Sequence, residues 1–148
     1  MVVSLFAYRR PEKLLLLRKA LSKQQIEKIY IFCDGVNRQE HAESVNSTRK
    51  VARSFADEFS TEVIERSVNI GLNQNLLSGI DYTLSRHEFA IFLEDDVLPT
   101  EAFFKFVRQA QSRYQREENI FSISAFHPVR SEFILSDVFL SRRFFCWG

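Results

Sequence analysis

Between Phe89 and Thr100 the chain reads FAIFLEDDVLPT, so Glu94, Asp95 and Asp96 stand side by side at the end of an apolar run. Three adjacent like charges repel, and beside a low-dielectric core the repulsion grows, so a cation or hydrogen bonds must offset it. Hard carboxylate oxygens are the donors that Mg²⁺ and Mn²⁺ take. The same residues could equally enter a solvated loop, with Asp96 or Thr100 starting the helix that follows. Which holds depends on what else the fold brings to that place.

Other residues with chemistry to offer also follow apolar runs. Tyr8, Arg9 and Arg10 come after VVSLFA, Asp34 after KIYIFC, Arg66 and the stretch Asn69 to Asn73 after TEVIE, and His127 after IFSISAF. Between these runs lie segments with helical spacing. Pro11 suits a first helical turn, and Leu14, Leu17 and Leu21 recur behind it. Val45, Ala52, Phe55 and Phe59 mark a second helix, Leu72, Leu76, Ile80 and Leu84 a third, and Phe103, Val107, Ala110 and Tyr114 a fourth. With IFSISAF as a fifth strand the order is βαβαβαβαβ, which predicts an α/β fold: a mainly parallel central sheet with helices on both faces. Ligands of such sheets bind outside the carboxyl ends of the strands, where all of these polar residues fall.

Composition excludes several partners. The chain has 148 residues and a formal net charge of +1, a single domain's length with no basic stripe for nucleic acid and no polybasic membrane anchor. Cys33 and Cys146 form neither a disulfide framework nor a metal-ligand spacing, which fits a reducing compartment. No apolar run reaches the roughly 20 residues that span a bilayer, and the start lacks a secretory signal. The expected location is cytoplasmic, with any membrane association left to other regions or partners. The sequence AYRRPEK has no glycine, so neither a P-loop nor a dinucleotide fingerprint follows the first strand. Carboxylates, arginines and a helix starting at Gly71 on one rim suit a metal bound to a phosphate-bearing ligand.

Taken together, VVSLFAYRRPEKLLLLRKAL, IYIFCDG, ERSVNIGLNQNLLSGID and FAIFLEDDVLPTEAFFKF resemble the nucleotide-sugar-binding half of GT-A-fold glycosyltransferases. The likeness is to bacterial family-two-like sugar transferases and N-acetylglucosaminyltransferase I relatives, whose metal motif, of the DXD type, is written Glu-Asp-Asp. The resemblance spans nearly the whole chain, and LEDDV is its most specific part. It implies that Asp96 ligates a divalent metal, Mn²⁺ or Mg²⁺, bridging the donor's phosphates. It places Asp95 by the ribose or the metal's water shell, Glu94 near the sugar, Asp34 on the nucleotide base, and Arg10 by the base or diphosphate. Asn73 falls among the donor-binding residues, although Gln74-Asn75 stands where relatives carry Ala-Arg-Asn.

The implied activity is a metal-dependent, inverting hexosyl- or N-acetylhexosaminyl-transferase. Its donor would be a nucleotide sugar, a UDP-sugar first of all, its acceptor a saccharide or lipid-linked saccharide, and its setting polysaccharide biosynthesis. Residues 1–148 would form one donor-binding domain, truncated before the acceptor-binding half that supplies the catalytic base, so no catalytic residue is assigned. The aromatic tail with Phe139, Phe144, Phe145 and Trp147 is expected to self-associate. Two alternatives stand beside this: a receiver-like regulatory module binding Mg²⁺, and a degenerate transferase that only binds.

Overall fold

The computed structural model describes residues 1–125. Four strands, β1 (Val2–Ala7), β2 (Lys28–Cys33), β3 (Thr61–Glu65) and β4 (Ile91–Glu94), alternate with four helices, α1 (Pro11–Leu21), α2 (Ala42–Ser54), α3 (Leu72–Leu84) and α4 (Glu101–Tyr114). The strands form one sheet in the order β3-β2-β1-β4, all parallel. The expected α/β architecture is therefore present. Among the described residues no helix is long and apolar enough to cross a membrane.

The chain builds the sheet outward from β1 through β2 to β3, then returns to place β4 on the other side of β1. That reversal sends the β3-to-β4 crossover over the opposite face, because crossovers keep one hand. Leu14, Leu17 and Leu21 of α1, Ala52 of α2 and Phe104 and Val107 of α4 pack on the face that carries Val3, Leu5, Ile29, Ile31, Ile91 and Leu93. The other face carries Val2, Phe6, Tyr30 and Phe32, covered by Leu76, Ile80 and Tyr82 of α3.

Two expectations are corrected here. Only the middle of the Leu72, Leu76, Ile80 and Leu84 stripe packs on the sheet, through Leu76 and Ile80: Leu72 and Leu84 at the helix ends are exposed, and the fully buried residues are Asn75, Gly79 and Thr83. The helix lies so close to the sheet that a Cβ at Gly79 would come within 2.5 Å of the Phe6 ring. Asn75 Nδ2 donates to the Phe32 carbonyl (3.1 Å), and the Thr83 and Ser4 hydroxyls meet at 2.8 Å. Close approach selects small and hydrogen-bonding side chains over leucine.

The second correction concerns IFSISAF. Residues 120–125 adopt neither strand nor helix, and Phe121 is 86% exposed. Apolar alternation alone does not make a strand, because β propensity depends on the packing and pairing that the tertiary structure provides, and among the described residues the sheet's pairs are β1 with β2, β1 with β4 and β2 with β3. His127, Cys146 and the aromatic tail lie outside the described residues.

Candidate functional site at the carboxyl edge of the sheet

Parallel pairing fixes which loops meet. Ala7 stands opposite Cys33, and Phe6 opposite Glu94. The ladder continues one residue further, with Asp34 N–H donating to the Ala7 carbonyl and Asp95 N–H to the Phe6 carbonyl, each at 3.0 Å. Asp34 and Asp95 thus flank the end of β1 on either side. The order β3-β2-β1-β4 reverses between β1 and β4, so Asp95 and Asp96 emerge at the topological switch point, where open α/β sheets hold ligands.

The three carboxylates do not act as one cluster. Successive side chains of a strand alternate between faces, so Glu94 turns toward the α3 side, where it joins Phe6, Leu76 and Ile80 around an apolar cavity of about 420 Å³. Asp95 is 4% exposed. Its Oδ2 accepts the Tyr8 N–H (3.3 Å) and its Oδ1 lies 3.3 Å from Nη1 of Arg10. Burial pushes its carboxyl pKa up, against the opposing pull of Arg10 and the Tyr8 N–H. Asp96 remains open to solvent and accepts a hydrogen bond from the same Arg10 nitrogen. That hydrogen bond is also the main cause holding the Arg10 guanidinium pKa above its ordinary value. The helix start belongs to Thr100, whose hydroxyl accepts the Phe103 N–H.

Asp34 occupies a different environment. Its Oδ1 accepts the N–H groups of Gly35 (2.8 Å) and Ile70 (2.9 Å), and its Oδ2 accepts Gly71 N–H and Asn69 Nδ2, both at 3.0 Å. Four bonds fill the acceptor sites of a carboxylate. Asp34 therefore ties the loop before α3 to the end of β2, and is not turned outward toward a base. The loop crosses so tightly that a Cβ on Gly35 would lie 2.2 Å from the Val68 backbone, and Gly71 enters the helix at φ +80°. Asn73 is exposed in the first turn of α3, where helix N–H groups lack intrahelical partners.

Sequence reasoning placed Arg66 at this edge but passed over Arg49 and His41, which also shape it. Arg49 Nη2 donates to the carbonyls of Arg66 (2.6 Å) and Asp34 (3.3 Å), pinning the ends of β2 and β3 together. Arg66 is held by Asn75 and Ser78 of α3. His41, from a polar stretch, approaches Tyr8 Oη through Nδ1 at 3.2 Å and accepts from Arg9 through Nε2 at 2.7 Å. Arginine only donates, so Nε2 is the acceptor in the Arg9 contact. No local signal announces these contacts, since their partners lie more than a dozen residues away or on another element.

A divalent metal can be tested against this edge. Mg²⁺ commonly binds through one or two carboxylates completed by substrate phosphates and water, and the adjacent carboxylates of Asp96, open to solvent, and Asp95, buried behind it, fit such a donor set. The Arg10 guanidinium, resting on both, is the positive charge that stands there. Among the described residues, no group of three or more His, Cys, Asp or Glu side chains forms a ready-made cage. The donors thus fit an ion shared with a phosphate ligand rather than one held by protein alone. Compared with family models, curated proteins and solved structures, the chain matches none.

Proposed function

We propose that this chain is the donor-binding portion of a GT-A-type, metal-dependent, inverting glycosyltransferase that takes a nucleotide sugar. The observation that carries the proposal is the meeting of Arg10 with Asp95 and Asp96 at the switch point between β1 and β4. A cation and two carboxylates at this crevice match what a diphosphate and its metal require, with opposite charges available to each.

Within that reading the residues divide the work. Asp96, the exposed carboxylate, would ligate the ion. Asp95, nearly buried and fixed by the Tyr8 N–H, would orient the ligand set without moving. Arg10 would bind a phosphate oxygen of the donor, with Asn73 and the open N–H groups at the start of α3 as further partners. Glu94, on the other face, would approach the sugar. Asp34 would act indirectly, by holding the loop that presents α3. A bound Mg²⁺ or Mn²⁺ would supply positive charge beside the departing nucleoside diphosphate. The acceptor would be a saccharide or lipid-linked saccharide, deprotonated by a carboxylate outside the residues assigned here.

The test is thermal unfolding with UDP and Mn²⁺, since a ligand that binds only the folded state raises the midpoint by mass action. Wild type should shift upward with UDP and Mn²⁺ together, and Asp96→Asn should lose the Mn²⁺-dependent part. No shift with any common nucleoside diphosphate at millimolar concentration, or an equal shift in Asp96→Asn, would overturn the proposal.

A further inference from the structure

Resting on the reading above, we propose that Arg10 is a built-in competitor for the metal position, released by the donor's diphosphate, so that metal and nucleotide bind as a pair rather than separately. One nitrogen, Nη1, contacts both Asp95 and Asp96. An ion on Asp96 and a guanidinium hydrogen-bonded to the same carboxylate would be like charges within a few ångströms, each disfavouring the other. The two cannot share the site at full strength.

The geometry lets Arg10 leave while the fold stays as it is. Its backbone is fixed: the Arg10 carbonyl accepts the N–H groups of Lys13 and Leu14, both at 3.2 Å, at the start of α1. Its side chain is 45% exposed, as is that of Asp96. Asp95, by contrast, is buried and keeps its Tyr8 N–H whichever cation faces it. A diphosphate entering the crevice offers the guanidinium a bidentate anion in exchange for two carboxylate contacts that both fall on the one nitrogen Nη1. Asp96 then turns to the ion. The result is positive coupling: each ligand raises the affinity for the other beyond what their direct contact in solution supplies.

Mn²⁺ titrations followed by electron paramagnetic resonance of the free ion test this in wild type, Arg10→Gln and Arg10→Lys. With Mn²⁺ alone, Arg10→Gln should bind about fivefold more tightly than wild type, the upper end of what a half-exposed ion pair is worth. Arg10→Lys, which keeps the charge, should stay near wild type. Adding UDP should raise Mn²⁺ affinity by a larger factor in wild type than in Arg10→Gln. Equal or weaker binding of Mn²⁺ alone by Arg10→Gln, or matching behaviour of the two variants, would overturn the competition while leaving wild-type binding of Mn²⁺ with UDP, and so the proposed function, in place. No Mn²⁺ binding by any of the three, with or without UDP, would overturn both.

Discussion

Nη1 of Arg10 stands 3.3 Å from Oδ1 of Asp95, across 85 positions of sequence that the parallel pairing of β1 with β4 closes. The repulsion implicit in Glu94-Asp95-Asp96 is relieved in two ways. The pleat turns Glu94 to the other face, and Arg10 sets one positive charge against the remaining two carboxylates. The relief is incomplete, because burial of Asp95 outweighs its favourable contacts and its folded pKa lies above the ordinary 3.8.

That direction fixes a pH dependence. Below about 3.8 Asp95 is protonated in folded and unfolded chains alike. Between that value and the raised folded pKa the folded chain binds more protons, so the contribution of Asp95 to stability falls as pH rises through the window. Asp95→Asn, which keeps an acceptor for the Tyr8 N–H, should therefore raise the urea midpoint at pH 7, and its advantage should shrink as pH approaches 4. An advantage that grows toward acid would contradict the burial assignment.

Asp34→Asn should behave as a stability variant. The amide replaces one acceptor oxygen with a donor facing either Gly71 N–H and Asn69 Nδ2 or Gly35 and Ile70 N–H, at a cost of about 1–3 kcal/mol. Urea unfolding measures that loss. Unchanged stability with lost nucleotide binding would instead place Asp34 on the base.

Two glycines carry geometric demands of different origin. Gly71 sits at φ +80° with ψ 160°, a region that other residues enter at a cost of about 1–3 kcal/mol. Gly71→Ala should destabilise by that amount although open space surrounds the added methyl. Gly79→Ala would push against the rings of Phe6 and Phe32, and overpacking of this kind costs about 1–3 kcal/mol. Denaturation midpoints of both variants check the pair. A neutral Gly79→Ala would show that α3 can lift off the sheet freely.

Sequence alone determined whatever depends on near neighbours in the chain. The period of Leu14, Leu17 and Leu21, Pro11 in the first turn, and apolar runs ending at Asp34 and Glu94 follow from local geometry, and α1, β2 and β4 form where those patterns lie. So does the gathering of polar residues at one rim, since strand-helix alternation makes the sheet parallel and puts every strand's carboxyl end on one edge. What only the tertiary structure decided depends on packing between distant segments. It centred the packed face of α3 on Asn75, Gly79 and Thr83, with Leu76 and Ile80 beside them and Leu72 and Leu84 left exposed, because the helix approaches Phe6 and Phe32 too closely for larger side chains at its centre. It gave residues 120–125 neither strand nor helix, an outcome their apolar alternation does not foretell. It turned Asp34 inward to the loop at Ile70 and Gly71 and set Arg10 on Asp96, 86 residues away. Charge residues carry no mark in the sequence of which partner they will meet, and that choice falls to the strand order that brings β4 back beside β1.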